Sequence, residues 1–148
     1  MLLIIWDLLD IVESIALNND WYAIPSEIFT ETCETTWTGY WLGRDGQQDY
    51  FILDLMTTEM IHKVHLKNTY NNGAYDRATN AFNVDVSNDT VTWVNAVDNI
   101  LIKPMYPHLP CEDIPVQKFA VEKVARYLRF KIISNHAWSG GLNYIKVV

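Results

Sequence analysis

A chain of 148 residues with 49% hydrophobic and 20% charged residues is long enough for one domain with a sizeable core and too short for two ordinary ones. Six Trp and eight Tyr exclude disorder and suit a β-rich globule with aromatic surface to spare. A net charge of -7 with pI near 4.9 excludes a partner held mainly through phosphates, because counterion release needs clustered Lys and Arg, so neither nucleic acid nor anionic membrane is expected.

The first seventeen residues, "MLLIIWDLLDIVESIAL", have no basic n-region, and Asp7, Asp10 and Glu13 interrupt every apolar run, so neither an export signal nor a membrane span is visible. At ~100° per residue, Ile4, Ile5, Leu8, Leu9, Ile11, Val12, Ile15 and Ala16 share one broad face and Asp7, Asp10, Glu13 and Ser14 the other. The periodicity predicts an amphipathic acidic helix over residues 1–17, packed on its own domain or docked into a groove on a protein partner. Its polar face lacks the Lys and Arg of membrane-surface helices, and Asp7 and Asp10 read as solvation rather than acid/base chemistry.

After "NND" at 18–20 the hydrophobic period changes from 3.6 to 2, which places the main domain at residues 18–148. Strands are predicted at 50–55 ("YFILDL"), 61–67 ("IHKVHLK"), 81–87 ("AFNVDVS"), 92–97, 126–133 ("RYLRFKII") and 144–148, separated by Gly, Asn, Asp and Pro clusters. The fold class is all-β, an antiparallel sandwich or jelly roll with one appended N-terminal helix. Within 81–87, Phe82, Val84 and Val86 alternate with Asn83, Asp85 and Ser87, so "NTYNNGAYDRATN" before them is a loop whose backbone must be satisfied from within, by Asx turns and an Asp76–Arg77 region. The basic run "KVARYLRFK" at 123–131 alternates as one solvated strand face.

Cys33 and Cys111 form no CxxC, and their spacing leaves pairing open. "HLPC" at 108–111 has no second ligand pair at zinc-finger spacing. "WSGG" is not a nucleophile elbow, His62 and His65 fall on opposite faces of a strand, and no P-loop or dinucleotide fingerprint is present, so a catalytic role is not expected.

Four blocks in order, "YWLGRDGQQDYFILDL" (40–55), "VHLKNTYNNGAYDRATNAFNVDVSND" (64–89), "ARYLRFKI" (125–132) and "GGLNYIKV" (140–147), resemble the coagulation factor 5/8 type C, or discoidin, domain family. The resemblance implies a galactose-binding-like jelly roll without catalysis that takes ligands by loops at one end. Its first-strand Trp falls on Trp41, its "ILDL" strand on 52–55, its Asp-Arg loop on Asp76 and Arg77, and its "RYLRF" strand on 126–130. Many relatives hold a structural calcium ion in the loop matching 68–79, which here implies Asn71, Asp76 and Thr79, hard oxygen donors of the kind that ion takes. Two departures stand out: Lys146 occupies "NYIKVV" where relatives often add a Glu, and the terminal cysteine pair of the clotting-factor branch is missing.

A lectin-like seat needs an aromatic face for a pyranose and a few fixed polar groups for its hydroxyls. Loop candidates are Trp37, Tyr40, Arg44, Tyr75, His136, Trp138 and Asn143, whereas Trp41, followed by Leu42, is expected in the core. His136 and Trp138 stand in the Gly-rich "SNHAWSGGLN", a setting in which exposed aromatics serve recognition. Two functions follow: a module that recognises a glycan or glycan-bearing surface, or a structural subunit of a larger assembly docked through residues 1–17. The family is often extracellular, and the sequence itself assigns no location.

Overall fold

The computed structural model describes residues 28–29, 31, 41–69, 77–102 and 110–148, together with the backbone of 10–14. Among the described residues seven strands form one antiparallel ladder: β1 (Asp10–Ser14), β2 (Trp41–Leu42), β3 (Tyr50–Asn68), β4 (Thr79–Ser87), β5 (Val94–Leu101), β6 (Gln117–Asn135) and β7 (Gly141–Val147). All six predicted strands are present, but 50–55 and 61–67 belong to the single strand β3.

That fusion explains the architecture. β3 and β6 pair along most of their lengths as a ribbon, from Tyr50 opposite Lys131 to Leu66 opposite Gln117. The pairing slips between Asp54 and Glu59 and again between Ile61 and Lys63, and Met56 (φ 65) and Glu122 (φ 51) take left-handed backbone there. Such irregularities let a strand turn a corner and change sheets. The ribbon therefore folds over, giving one layer in the order β1, β3, β6, β4, β5 and a second in the order β2, β7, β3, β6. This is the jelly-roll sandwich.

One end of the sandwich is the corner at Met56 and Glu122. The other end, where β3 begins and finishes, carries the β2–β3 loop (43–49), the start of β4 and the β6–β7 loop (136–140). Between them the alternation of β3, β4 and β6 aims Phe51, Leu53, Phe82, Val84, Leu128 and Phe130 inward, all fully buried. Trp41 meets Phe51 edge-on at 5.0 Å and Phe130 at 6.2 Å, while Phe130 stacks on Phe51 at 5.4 Å and Phe82 at 5.3 Å. Each such pair contributes about 0.5–1.5 kcal/mol beyond its buried area, so the loop end rests on a stiff aromatic base. Trp41 is core, as its sequence neighbourhood implied.

The helix expected over residues 1–17 is corrected for Asp10–Ser14, which form strand β1, antiparallel to β3 with Asp10 opposite Asp54 and Ser14 opposite Phe51. Residues 1–9 and 15–17 lie outside the described residues. An apolar run interrupted by acids fits either period over so few residues, and the unfilled edge of β3 supplies the ladder partner that decides it. Cys111, which opens the short 3-10 turn Cys111–Asp113, is disulfide-bonded. Among the described residues no helix is long and apolar enough to cross a membrane.

Candidate functional site

Three segments meet at the loop end because main-chain hydrogen bonds sew them together. Gly43 N–H donates to Gly140 O at 2.8 Å, Gly46 N–H to Trp138 O at 2.8 Å, and His136 N–H to Ala78 O at 3.1 Å. The turn at 44–47 closes through Gln47 N–H to Arg44 O at 3.2 Å and needs the positive φ of 69° that Gly46 adopts without a Cβ penalty. Gly141 is required for a different reason: a Cβ there would stand 2.4 Å from the carbonyl oxygen of Trp41.

Below the surface, Thr79 is the knot. Its hydroxyl donates to Gly141 O at 2.9 Å and accepts from Gly141 N–H at 3.0 Å, tying β4 to β7. The Asn68 amide grips the main chain of Thr79 in both directions, donating to its carbonyl at 2.8 Å and accepting from its N–H at 3.0 Å. All of these groups are buried, so none is exchanged for water.

Above the knot sit the charges. Arg44 lays its Nε and Nη2 against the buried Asp49 carboxylate, at 3.0 and 2.7 Å, and Arg44 N–H adds a bond of 2.6 Å. This bidentate arrangement fixes the guanidinium plane, holds Arg44 more firmly protonated than usual, and leaves about half of the side chain in solvent. Arg77 is paired with Asp45 across the loop end and reaches Ser139 Oγ at 3.2 Å. That partner stands 32 positions away in the sequence. Burial pushes the His136 imidazole below the ordinary histidine range, so the ring is neutral near pH 7.

Trp138, between these groups, is 60% exposed, the largest side chain left in solvent among the described residues. Its carbonyl is fixed by Gly46 and its neighbour Ser139 is buried and held by Arg77, so the indole is presented on a fastened loop.

Of the sequence candidates, Arg44, His136 and Trp138 come together at this end. Asn143 lies within β7 and is only 3% exposed, under the site rather than on it. Trp37, Tyr40 and Tyr75, and the calcium candidates Asn71 and Asp76, lie outside the described residues. Thr79 uses its hydroxyl proton and one lone pair on Gly141, which leaves the second lone pair uncommitted by these two bonds. Among the described residues no group of three or more His, Cys, Asp or Glu is placed to hold a metal. Sequence reasoning missed Asp45, Asp49 and Ser139. "GRDGQQD" signalled a charged turn, but not that one of its carboxylates folds inward under Arg44.

The F5/8 type C domain family model matches residues 17–147. The chain belongs to that family. Among solved structures the F5/8 fold is similar to the CBM32 module of AlyQ in complex with 4,5-unsaturated mannuronic acid, at TM-score 0.67 and 16% identity over 94% of this chain and 95% of that one. It is similar also to chitosan-binding module 1 from a chitosanase/glucanase of Paenibacillus sp. IK-5, at TM-score 0.65 and 15% identity, with 92% of each chain covered. An allantoicase matches at TM-score 0.64 and 15% identity over 94% of this chain, which spans 39% of the allantoicase chain. No curated protein matches the chain by sequence.

Proposed function

We propose that this F5/8 type C domain is a non-catalytic carbohydrate-recognition module whose seat is the loop end, with Trp138 as the platform for a sugar ring and Arg44, Arg77 and His136 as the polar groups around it. The observation that carries this reading is the exposed indole on a loop fastened by main-chain bonds: apolar area offered to solvent at low conformational cost is what stacking on a pyranose needs. The mannuronate- and chitosan-binding modules of the same fold support the ligand class, and their opposite charges show that the fold does not select the sugar. A calcium ion in the 68–79 loop would take oxygen ligands from Asn71, Asp76 and Thr79.

A glycan array, read with calcium and again with chelator, tests the module reading. Trp138→Ala should then weaken the selected glycan about tenfold, the equivalent of about 1.4 kcal/mol, with little change in the unfolding midpoint. A blank array under both conditions, or a variant that unfolds early yet binds normally once folded, would overturn it.

A further inference from the structure

The four arginines of the chain are all ion-paired: Arg44 with Asp49, Arg77 with Asp45, Arg126 with Asp54 and Arg129 with Asp85. Three lysines are treated differently. Lys146 on β7 and Lys118 on β6 stand directly opposite His65 on β3, one on each side, and Lys63 lies two residues along β3. Val64 and Leu66 point into the core, so by alternation Lys63 and His65 point outward, and all three lysines are exposed. Neighbouring strands lie about 5 Å apart, which sets Lys146 and Lys118 roughly 10 Å from each other across His65, with Lys63 about 7 Å along the middle strand. Basic groups scattered in the sequence are thus gathered on the outer face of the layer formed by β7, β3 and β6.

Among the described residues none of these lysines has an ion-pair partner. Glu31 and Glu122 are taken by Lys67 and His62, and Asp98, which lines a shallow cleft with Lys118, is not bonded to it. Like charges set opposite one another destabilise a sheet, yet the chain has eighteen acidic residues and leaves this row unneutralised. Such a row complements an external anion. His65 indicates the kind. Burial first, and then Lys118, Lys146 and Lys63, hold its half-buried imidazole below the ordinary histidine range, so at pH 7 it is predominantly neutral. A neutral donor and acceptor between ammonium groups suits a polymer that carries hydroxyls between its anionic groups. Three ammoniums are few for a nucleic acid, whose affinity at physiological salt rests on many phosphate contacts. We propose that the outer face of β7, β3 and β6 binds an acidic glycan chain, with Lys63, Lys118 and Lys146 on its carboxylate or sulfate groups and His65 on a hydroxyl between them. This face adds a second contact to the module reading and is tested separately from the loop end.

The test is titration calorimetry of the full chain with a short oligogalacturonate and with a sulfated dextran oligomer, each against its neutral form, methyl-esterified or unsulfated. At least one acidic probe should bind, weaken as salt rises, and lose its affinity when neutralised. Lys118→Gln and Lys146→Gln should each weaken it about two- to fivefold, the scale of an exposed ion pair, and together about tenfold. Lys123→Gln makes the same change in net charge at an exposed position of β6 outside the row and should leave binding unchanged. Because the row repels itself, the double variant should melt no lower than the wild type. The same lysine dependence should persist in a Trp138→Ala background. Failure of both acidic probes to bind would overturn the proposal, as would an equal loss in Lys123→Gln. A lowered melting midpoint in the double variant would show that the lysines serve the fold instead. Binding that survives the double variant but is lost in Trp138→Ala would place the acidic glycan at the loop end, overturning this face and leaving the module reading intact.

Discussion

Removing the hydroxyl of Thr79 while keeping its shape isolates the knot beneath the proposed seat. Thr79→Val deletes a donor to Gly141 O and an acceptor for Gly141 N–H, both buried, and leaves the Asn68 contacts to the Thr79 main chain in place. Two net hydrogen bonds are worth about 1 kcal/mol each, and stranding a buried N–H adds to that, so the loss should be roughly 2–3 kcal/mol. For a domain of this size each kcal/mol moves the midpoint by about 2–4 °C, giving a fall of roughly 5–10 °C. Thr79→Ser keeps the hydroxyl and should recover most of the loss. Thermal unfolding of the three proteins, with calcium and with chelator, reads the outcome. If valine and serine melt together, the knot contributes nothing. If calcium raises the midpoint of the wild type and of the serine variant but not of the valine variant, the Thr79 hydroxyl is also an ion ligand and the loss in valine cannot be assigned to the hydrogen bonds alone.

Gly141→Ala forces a Cβ against the main chain of β2, an atom that cannot swing aside, so a loss of about 1–3 kcal/mol is expected, accompanied by weakened glycan binding as the loop end shifts; unchanged stability would show that β2 is free to move. Asp54 carries a pKa held down chiefly by its hydrogen bonds to Arg126 at 2.9 Å, so its stabilisation is complete above the unfolded value near 4 and is lost as pH falls through the lower folded value. Chemical denaturation across that acidic window should show a shallower pH slope in Asp54→Asn, and an unchanged slope would remove Asp54 from the account. Burial lowers the His136 pKa below the ordinary 6.5, so any break in glycan affinity that this ring causes should be centred below that value, whereas a break centred at or above 6.5 that vanishes in His136→Gln would contradict its burial.

The strands were legible because each carries period-2 alternation over a half-buried face, as in 81–87, where the inward Phe82, Val84 and Val86 are all buried. The corner was not. Nothing at Met56 or Glu122 announces a left-handed residue, since neither is Gly, Asn or Asp, and only the joint bending of two paired strands requires one there. The same limit produced the helix expectation at residues 10–14: whether an apolar run becomes helix or strand was decided by an open edge on β3, forty residues away in sequence. At the site, Trp138, His136 and Arg44 were readable as polar and aromatic residues in turn-rich segments. Asn143 was misplaced because strand β7 begins two residues before it, at Gly141.

What sequence patterns could not display is that the candidate seat is assembled from pairs of long separation: Arg77 with Asp45, Arg77 with Ser139, Thr79 with Gly141, Gly46 with Trp138. Each joins two of the three loop-end segments, so the positions of the exposed groups depend on buried ones that no ligand touches. Affinity and stability should therefore separate by depth rather than by position along the chain. Substitutions of Trp138, which joins the network through its main-chain carbonyl and not through its exposed indole, should change binding alone, whereas Thr79 and Gly141, which lie within it, should change stability first and binding as a consequence.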